Sequence, residues 1–315
     1  MSAGAKIATL TLNPAIDQTV QIPNFRQGEV NRIAQEQSDA GGKGVNVASF
    51  LAHFGHRIAV TGFLGRDNIQ PFEQLFSRHG MEDRFVRLPG STRVNIKIVD
   101  PEKQEITDLN APGLQNCAEG RGALEAAIDA LAQKGVETFV LAGSLPAGLP
   151  SGIYRDLITH LKGLGKQVIL DASGDAFAAG LEAGPDIIKP NVDELSDLVG
   201  HPLSGHDEII AAARSVTNGK VDLIVVSMGA DGALFIAGDE VLCAMPKGAV
   251  VKSTVGAGDA MVAGILHGRS QGLPLADIAR LATGFSLGAL GEIGPHLPAR
   301  EVIEGFADRV TIEKL

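Results

Sequence analysis

Residues 253–266 read STVGAGDAMVAGIL, an apolar run whose mouth carries two glycines, Gly256 and Gly258, with Ala257 between them and Asp259 directly after. Glycines there let the backbone turn tightly and present bare N–H groups. The helix N-terminus behind them adds partial positive charge, and together these features make an anion site. A carboxylate is a poor neighbour for a resident anion. It becomes useful if the anion is a phosphoryl group under attack, because Asp259 could take the proton of the attacking hydroxyl while the N–H groups hold the charge. An acid in the first helical turn is equally an ordinary capping residue, so GAGD alone leaves both readings open.

Three further stretches carry similar double meanings. DAGGKGVNVASFLAHFG (39–55) places Gly41, Gly42 and Gly44 ahead of a helix whose first turn bears Asn46. This is a closely packed loop–helix junction, or a cradle in which backbone N–H groups, Lys43 and Asn46 surround a polyhydroxylated or phosphorylated ligand. In IIKPNVDEL (187–195), Pro190 ends a strand, Asn191 can cap the following helix and Glu194 occupies the capping-box position. The same two side chains could help hold Mg²⁺ and its waters near phosphates. VVSMGADGALF (225–235) is a strand, a glycine turn and a second strand, which either forms a plain hairpin or lines a nucleotide.

Several familiar sites are missing. No string GxxxxGK[ST] occurs, and NPAID stands where a dinucleotide fold would carry GxGxxG. Ser144 in GSLP falls at a strand's C-terminal end, where open α/β sheets bind ligands, but without a GxSxG elbow it is not a nucleophile. His53 and His56 share a helix face with no third ligand nearby, and solvated surface histidines are expected.

The elements that must position these residues alternate. Strands are predicted at 6–13, 57–64, 137–145, 166–173, 186–191 and 222–229, with helices between them at 44–55, 122–134, 151–165 and 207–220. Such alternation implies βαβ units and a mostly parallel sheet. GALFIAG and EVLCAMP form a further strand pair, followed by helices at 257–272, 274–290 and 299–310. Lys247, in MPKGAVVKS just beyond that pair, has no assigned role. Two segments, about 14–39 and 92–109, break the rhythm and read as a small β flap. In RVNIKI, Arg93, Asn95 and Lys97 share one face while Val94, Ile96 and Ile98 share the other, as in a lid that turns its polar side to a ligand.

Composition narrows the partners. A formal charge of −10 lacks the electrostatic footprint of a nucleic-acid binder and would repel an anionic membrane surface. Cys117 and Cys243 have no metal-finger spacing and are expected as buried free thiols. No apolar stretch reaches 18 residues without polar interruption, so neither a signal peptide nor a membrane span is expected and a cytoplasmic protein is.

TLNPAID, AGGKGVNVA, GSLPAG, KPNVDEL, VVSMGADGAL and STVGAGDAMVAG occur in that order, and the chain thereby resembles the ribokinase-like (PfkB) family of sugar kinases along nearly its whole length. GEVNR, GFLGRDN, STRVNIKI and EITDLN make it most similar to the family's phosphosugar branch. The resemblance implies one three-layer α/β/α domain over residues 1–315, with a mainly parallel sheet and a small β lid. It implies ATP and Mg²⁺ as cofactors and a phosphosugar as substrate, fructose 1-phosphate accepting phosphate on its 6-hydroxyl. Tagatose 6-phosphate, fructose 6-phosphate and a non-catalytic sugar-phosphate sensor are the alternatives. A homodimer through the lid is suggested by analogy.

The residue roles follow from the same resemblance. Asp259 would be the catalytic base, with Gly256, Ala257 and Gly258 as the anion hole. Asp17, with Gly41, Gly42 and Asn46 beside it, would hold the sugar hydroxyl, and Lys43, Arg93 and Ser144 would complete the phosphosugar pocket. Lys189, Asn191, Ser227, Gly229 and Gly232 would contact the nucleotide, and Asn191 and Glu194 would organise the metal. Ala260 departs from the serine usual after GAGD, and Glu29 and Asn31 stand where fructose-6-phosphate enzymes of this type carry basic lid residues.

Overall fold

The computed structural model describes residues 4–248 and 253–315; residues 249–252, within MPKGAVVKS, lie outside the described residues. Among them, eleven strands form one large sheet. Its first strand, Ile7–Thr11, is flanked by Thr138–Ala142 on one side and by Ile58–Gly65 on the other, with the short strands Glu82–Asp83 and Val86–Leu88 both paired to Ile58–Gly65. Beyond Thr138–Ala142 come Gln167–Asp171, Ile187–Ile188 and Leu223–Ser227, all parallel. Ala233–Ala237, Glu240–Met245 and Thr311–Lys314 extend that edge antiparallel. The parallel strands IATLT, TFVLA, QVILD and LIVVS are mostly apolar on both faces because helices cover both faces of the sheet.

One face packs on helices Lys43–His53, Ala257–Ser270 and Leu275–Leu290, through side chains such as Phe50, Leu51, Ile265 and Phe285. The other packs on helices Arg121–Gln133, Ile153–Gly163, Gly174–Glu182 and Gly205–Thr217, through Leu124, Tyr154, Phe177 and Ala213. Each fully buried Leu, Ile or Phe contributes roughly 1.5–3 kcal/mol. Ala257–Ser270 is buried from Asp259 to Gly268 without a break. Its AMVAGIL core is apolar all round, which suits a helix enclosed on every side rather than one facing water. The residue at its mouth is thus carried on one of the most constrained elements of the molecule.

The segments that break the alternation form a separate four-stranded sheet, in the order Gln35–Gly41, Ala15–Gln21, Arg93–Asp100, Glu105–Leu109. It has its own small core of Val20, Ile22 and Ile98, with Phe25 packed against it. The predicted strand 186–191 shortens to Ile187–Ile188, because Pro190 has no N–H for a ladder and Asn191 already caps the next helix. Helices Gln70–His79 and Gly174–Glu182 and the strand Thr311–Lys314 are additional to those predicted. Cys117 and Cys243 are both buried and free. No helix among the described residues is long and apolar enough to cross a membrane.

Candidate active site

The parallel strands all point their C-terminal ends toward the lid sheet, and the chain crosses to opposite sides of Ile7–Thr11, so the sheet opens a crevice there. Thr11, Ala142, Asp171, Ile188 and Ser227 end five of these strands. Residues just past those ends, together with the lid, line a cleft of about 430 Å³.

Gly256 is the N-cap of Ala257–Ser270 at φ 77°, a left-handed conformation that favours glycine, and it provides no side-chain cap. The first N–H groups of the helix therefore remain for a ligand. Asp259 does not cap the helix: its Oδ2 accepts a hydrogen bond from Asn46 Nδ2 at 2.8 Å. Burial raises the Asp259 carboxyl to about 6, against the pull of the nearby Lys43 ammonium and with an added push from Asp171. A carboxylate so poised is ionised at neutral pH yet still basic enough to accept a proton.

Asp171 is the residue that motif reading passes over. It ends strand QVILD fully buried, with Lys43 Nζ at 2.9 Å from its Oδ1 and Lys189 Nζ at 3.7 Å. The two ammonium groups overcome burial and hold this carboxyl below its usual range. Asp259 and Glu194 add to the negative field on Lys43, which stays charged. Lys189 lies beside the glycine turn, since a Cβ on Gly258 would stand 3.2 Å from its Nζ. One buried acid thus anchors two cations between the turn and the lid. The signal was a single charge closing an otherwise apolar parallel strand.

On the lid side, Asp17 accepts from Asn95 Nδ2 at 3.0 Å, and burial raises its carboxyl. Strand Gln35–Gly41 ends against it so closely that a Cβ on Gly41 would lie 2.6 Å from Asp17 Oδ2. Arg93 reaches the cleft, but its guanidinium donates to the carbonyls of Asn13, Pro14 and Ala111, so it ties the lid strand to the loop after Ile7–Thr11. Ser144 is exposed, accepts from Asn13 Nδ2 at 3.1 Å and is not among the residues lining the cleft. Gly42, Lys43 and Asn46 do line it.

On the far side, Asn191 and Glu194 complete a capping box on Val192–Val199: Asn191 Oδ1 accepts from Glu194 N at 2.7 Å, and Glu194 Oε2 from Asn191 N at 3.0 Å. Both also line the cleft, and the cap leaves Glu194 Oε1 uncommitted. A second cavity of about 1030 Å³ adjoins the cleft, sharing Asn191, Ser227, Thr254 and Gly258 with it. The turn Gly229–Asp231, Gly232, Met228 and Leu287 line this larger space. Of the two predicted helix-face histidines, His53 is exposed, whereas His56 is half-buried with its Nε2 2.7 Å from His267 Nδ1. No three His, Cys, Asp or Glu side chains converge as a metal site among the described residues.

The sequence matches the model of the pfkB family of carbohydrate kinases over residues 10–300. It is 49% identical over 310 residues, 98% of each chain, to a 1-phosphofructokinase of Rhodobacter capsulatus. It is 39% identical to a 1-phosphofructokinase of Vibrio cholerae, over 98% of this chain and 97% of that one. The fold superposes with a TM-score of 0.87 on the crystal structure of phosphofructokinase-2 from Escherichia coli in complex with substrates and products, at 28% identity, covering 96% of this chain and 99% of that one.

Proposed function

The chain belongs to the pfkB family of carbohydrate kinases, and from that premise we propose that it transfers the γ-phosphoryl group of ATP to the 6-hydroxyl of fructose 1-phosphate, giving fructose 1,6-bisphosphate. The acceptor follows the name that the near-full-length relatives carry. The observation that carries the chemistry is Asp259: a buried carboxylate raised to about 6, held by Asn46, at the mouth of an uncapped helix N-terminus.

In this reading the phosphosugar lies in the 430 Å³ cleft under the lid, with Asp17, Gly42 and Asn46 around its hydroxyls and Gly41 packed against Asp17. Lys43 faces its charged end, Arg93 holds the lid loop in place, and Ser144 acts through Asn13. ATP occupies the larger cavity, its base near the Gly229–Asp231 turn and Gly232, and its phosphates reach into the adjoining cleft over Gly256, Ala257 and Gly258 and beside Lys189, Asn191 and Ser227. Asp259 accepts the proton of the 6-hydroxyl as that oxygen attacks. The N–H groups of the turn and the two lysines on Asp171 stabilise the charge that spreads over the transferring group.

The donor set fits Mg²⁺, which keeps most of its waters and needs only one or two protein carboxylates beside substrate phosphates. Glu194 has a free oxygen for it, Asn191 stands next to it, and Asp171 Oδ2 is a buried acceptor without a hydrogen-bond partner. When bound, the ion supplies charge neutralisation on the ATP phosphates. Lid closure would exclude water from the transfer. The lid also offers a surface for a second copy: Ile33, Val94, Ile106 and Leu109 are each 40–52% exposed. A homodimer through this sheet is the expected assembly.

The test is Asp259→Asn. It is expected to lower kcat by about 10²–10⁴-fold with the Kd for ATP unchanged, and to fold at least as stably, since the buried charge above pH 6 is removed. Near-wild-type turnover in this variant would remove Asp259 as the base.

A further inference from the structure

We propose that a cavity on the outer side of the lid strand, separate from the catalytic cleft, is a binding site for a small phosphate-bearing anion. The cavity, about 190 Å³, lies between helices Lys43–His53 and Gln70–His79, strand Gln35–Gly41 and the segment 295–297. None of its lining residues lines the catalytic cleft. Four basic side chains from three separate parts of the chain meet there: His53, Arg78 and His79, and His296. Ser38 adds a hydroxyl group to the wall, while the Ser49 hydroxyl donates to the Val45 carbonyl at 3.0 Å.

The convergence is unusual in a chain of net charge −10. Placement of Arg78 and His79 in the last turn of their helix suits its negative end, but that does not account for His53 and His296 arriving from elsewhere. Asp39, the acid in the cavity, already has an occupant: His296 Nε2 lies 3.3 Å from its Oδ1, and Gln37 donates to its Oδ2 at 2.8 Å. Pairing with Asp39 favours the imidazolium of His296. His53 is held by the Pro298 carbonyl at 3.1 Å. Arg78 has no hydrogen-bonded or ion-paired partner among the described residues. His79 is held toward its neutral form first by burial and then by the adjacent Arg78, His53 and His296.

An anion there would pair with Arg78, relieve the repulsion and draw a proton onto His79. Phosphate suits the mixture of a guanidinium fork, imidazoles and a hydroxyl, and the space admits a short carbon tail. The occupant would touch Asp39 and Ser38 on the lid strand and Pro295, which backs the catalytic turn close to Gly256.

The measurement is the histidine ring resonances of the whole protein titrated with inorganic phosphate, chloride keeping ionic strength constant. His79→Gln and His296→Gln assign the two signals, and site-specific signals separate this cavity from phosphate entering the catalytic cleft. Saturable movement of both signals is expected, with the His79 midpoint rising by about one pH unit. Arg78→Ala should weaken the effect about tenfold or more and leave kcat unchanged. A parallel titration with glycerol 3-phosphate distinguishes the sources: tighter saturation identifies a phosphate ester, equal or weaker saturation the free ion. Movement that does not saturate, that chloride reproduces, or that Arg78→Ala leaves intact would overturn the site.

Discussion

Asp259, Lys43 and Asp171 form a chain of alternating charge in which each group sets the next. Burial raises Asp259 to about 6, and Lys43, anchored on Asp171, keeps it from rising further. If Asp259 is the base, it must be ionised before the sugar is attacked, so kcat/KM should rise about tenfold per pH unit up to pH ~6 and level off above it. A sugar phosphate ionises in the same range, so the limb needs an assignment. Asn46 donates to the carboxylate and lowers its pKa; Asn46→Ala should therefore move the limb to higher pH, whereas a substrate ionisation would leave it in place. Motif spacing exposed Asp259, Lys43 and Asn46 because all three lie in glycine-rich stretches, Lys43 and Asn46 in AGGKGVN and Asp259 in VGAGD. Asp171 was hidden, since its meaning comes from Lys43 and Lys189, distant in sequence and joined to it only by the sheet.

Elements deliver these groups through close backbone approach. Strand Gln35–Gly41 runs antiparallel to Ala15–Gln21 and stops with Gly41 opposite Ala15, leaving no room for a side chain beside Asp17. Gly41→Ala would place its Cβ 2.6 Å from Asp17 Oδ2, so the carboxylate must turn away. The expected result is a KM for the phosphosugar raised about tenfold or more, with the KM for ATP and the thermal midpoint little changed. An unaltered sugar KM would show that Asp17 does not bind the sugar. The strand–helix alternation was legible from β-branched runs and turn residues. Helix Gly174–Glu182 was less so, because GDAFAAGLE is short, carries Gly180 in its last turn and has few large apolar anchors. The capping box at Asn191 and Glu194 was legible as a box; its place beside the cleft depended on which strand ends meet.

At the scale of the whole molecule, a three-layer α/β body offers a crevice and a second sheet covers it. That division was readable from the two stretches that break the βαβ rhythm and from the polar face of RVNIKI, whose Arg93, Asn95 and Lys97 do turn inward. What each inward residue touches was not readable: Arg93 donates to three carbonyls while lining the cleft, and Lys97 pairs with Asp108. The acceptor is therefore the point on which the functional reading stands or falls. The decisive measurement is ADP release by the purified protein with Mg-ATP, offered fructose 1-phosphate, fructose 6-phosphate and tagatose 6-phosphate in separate reactions. A kcat/KM for fructose 1-phosphate well above both others is the predicted result. Preference for either 6-phosphate, or no turnover with any of the three, would contradict it.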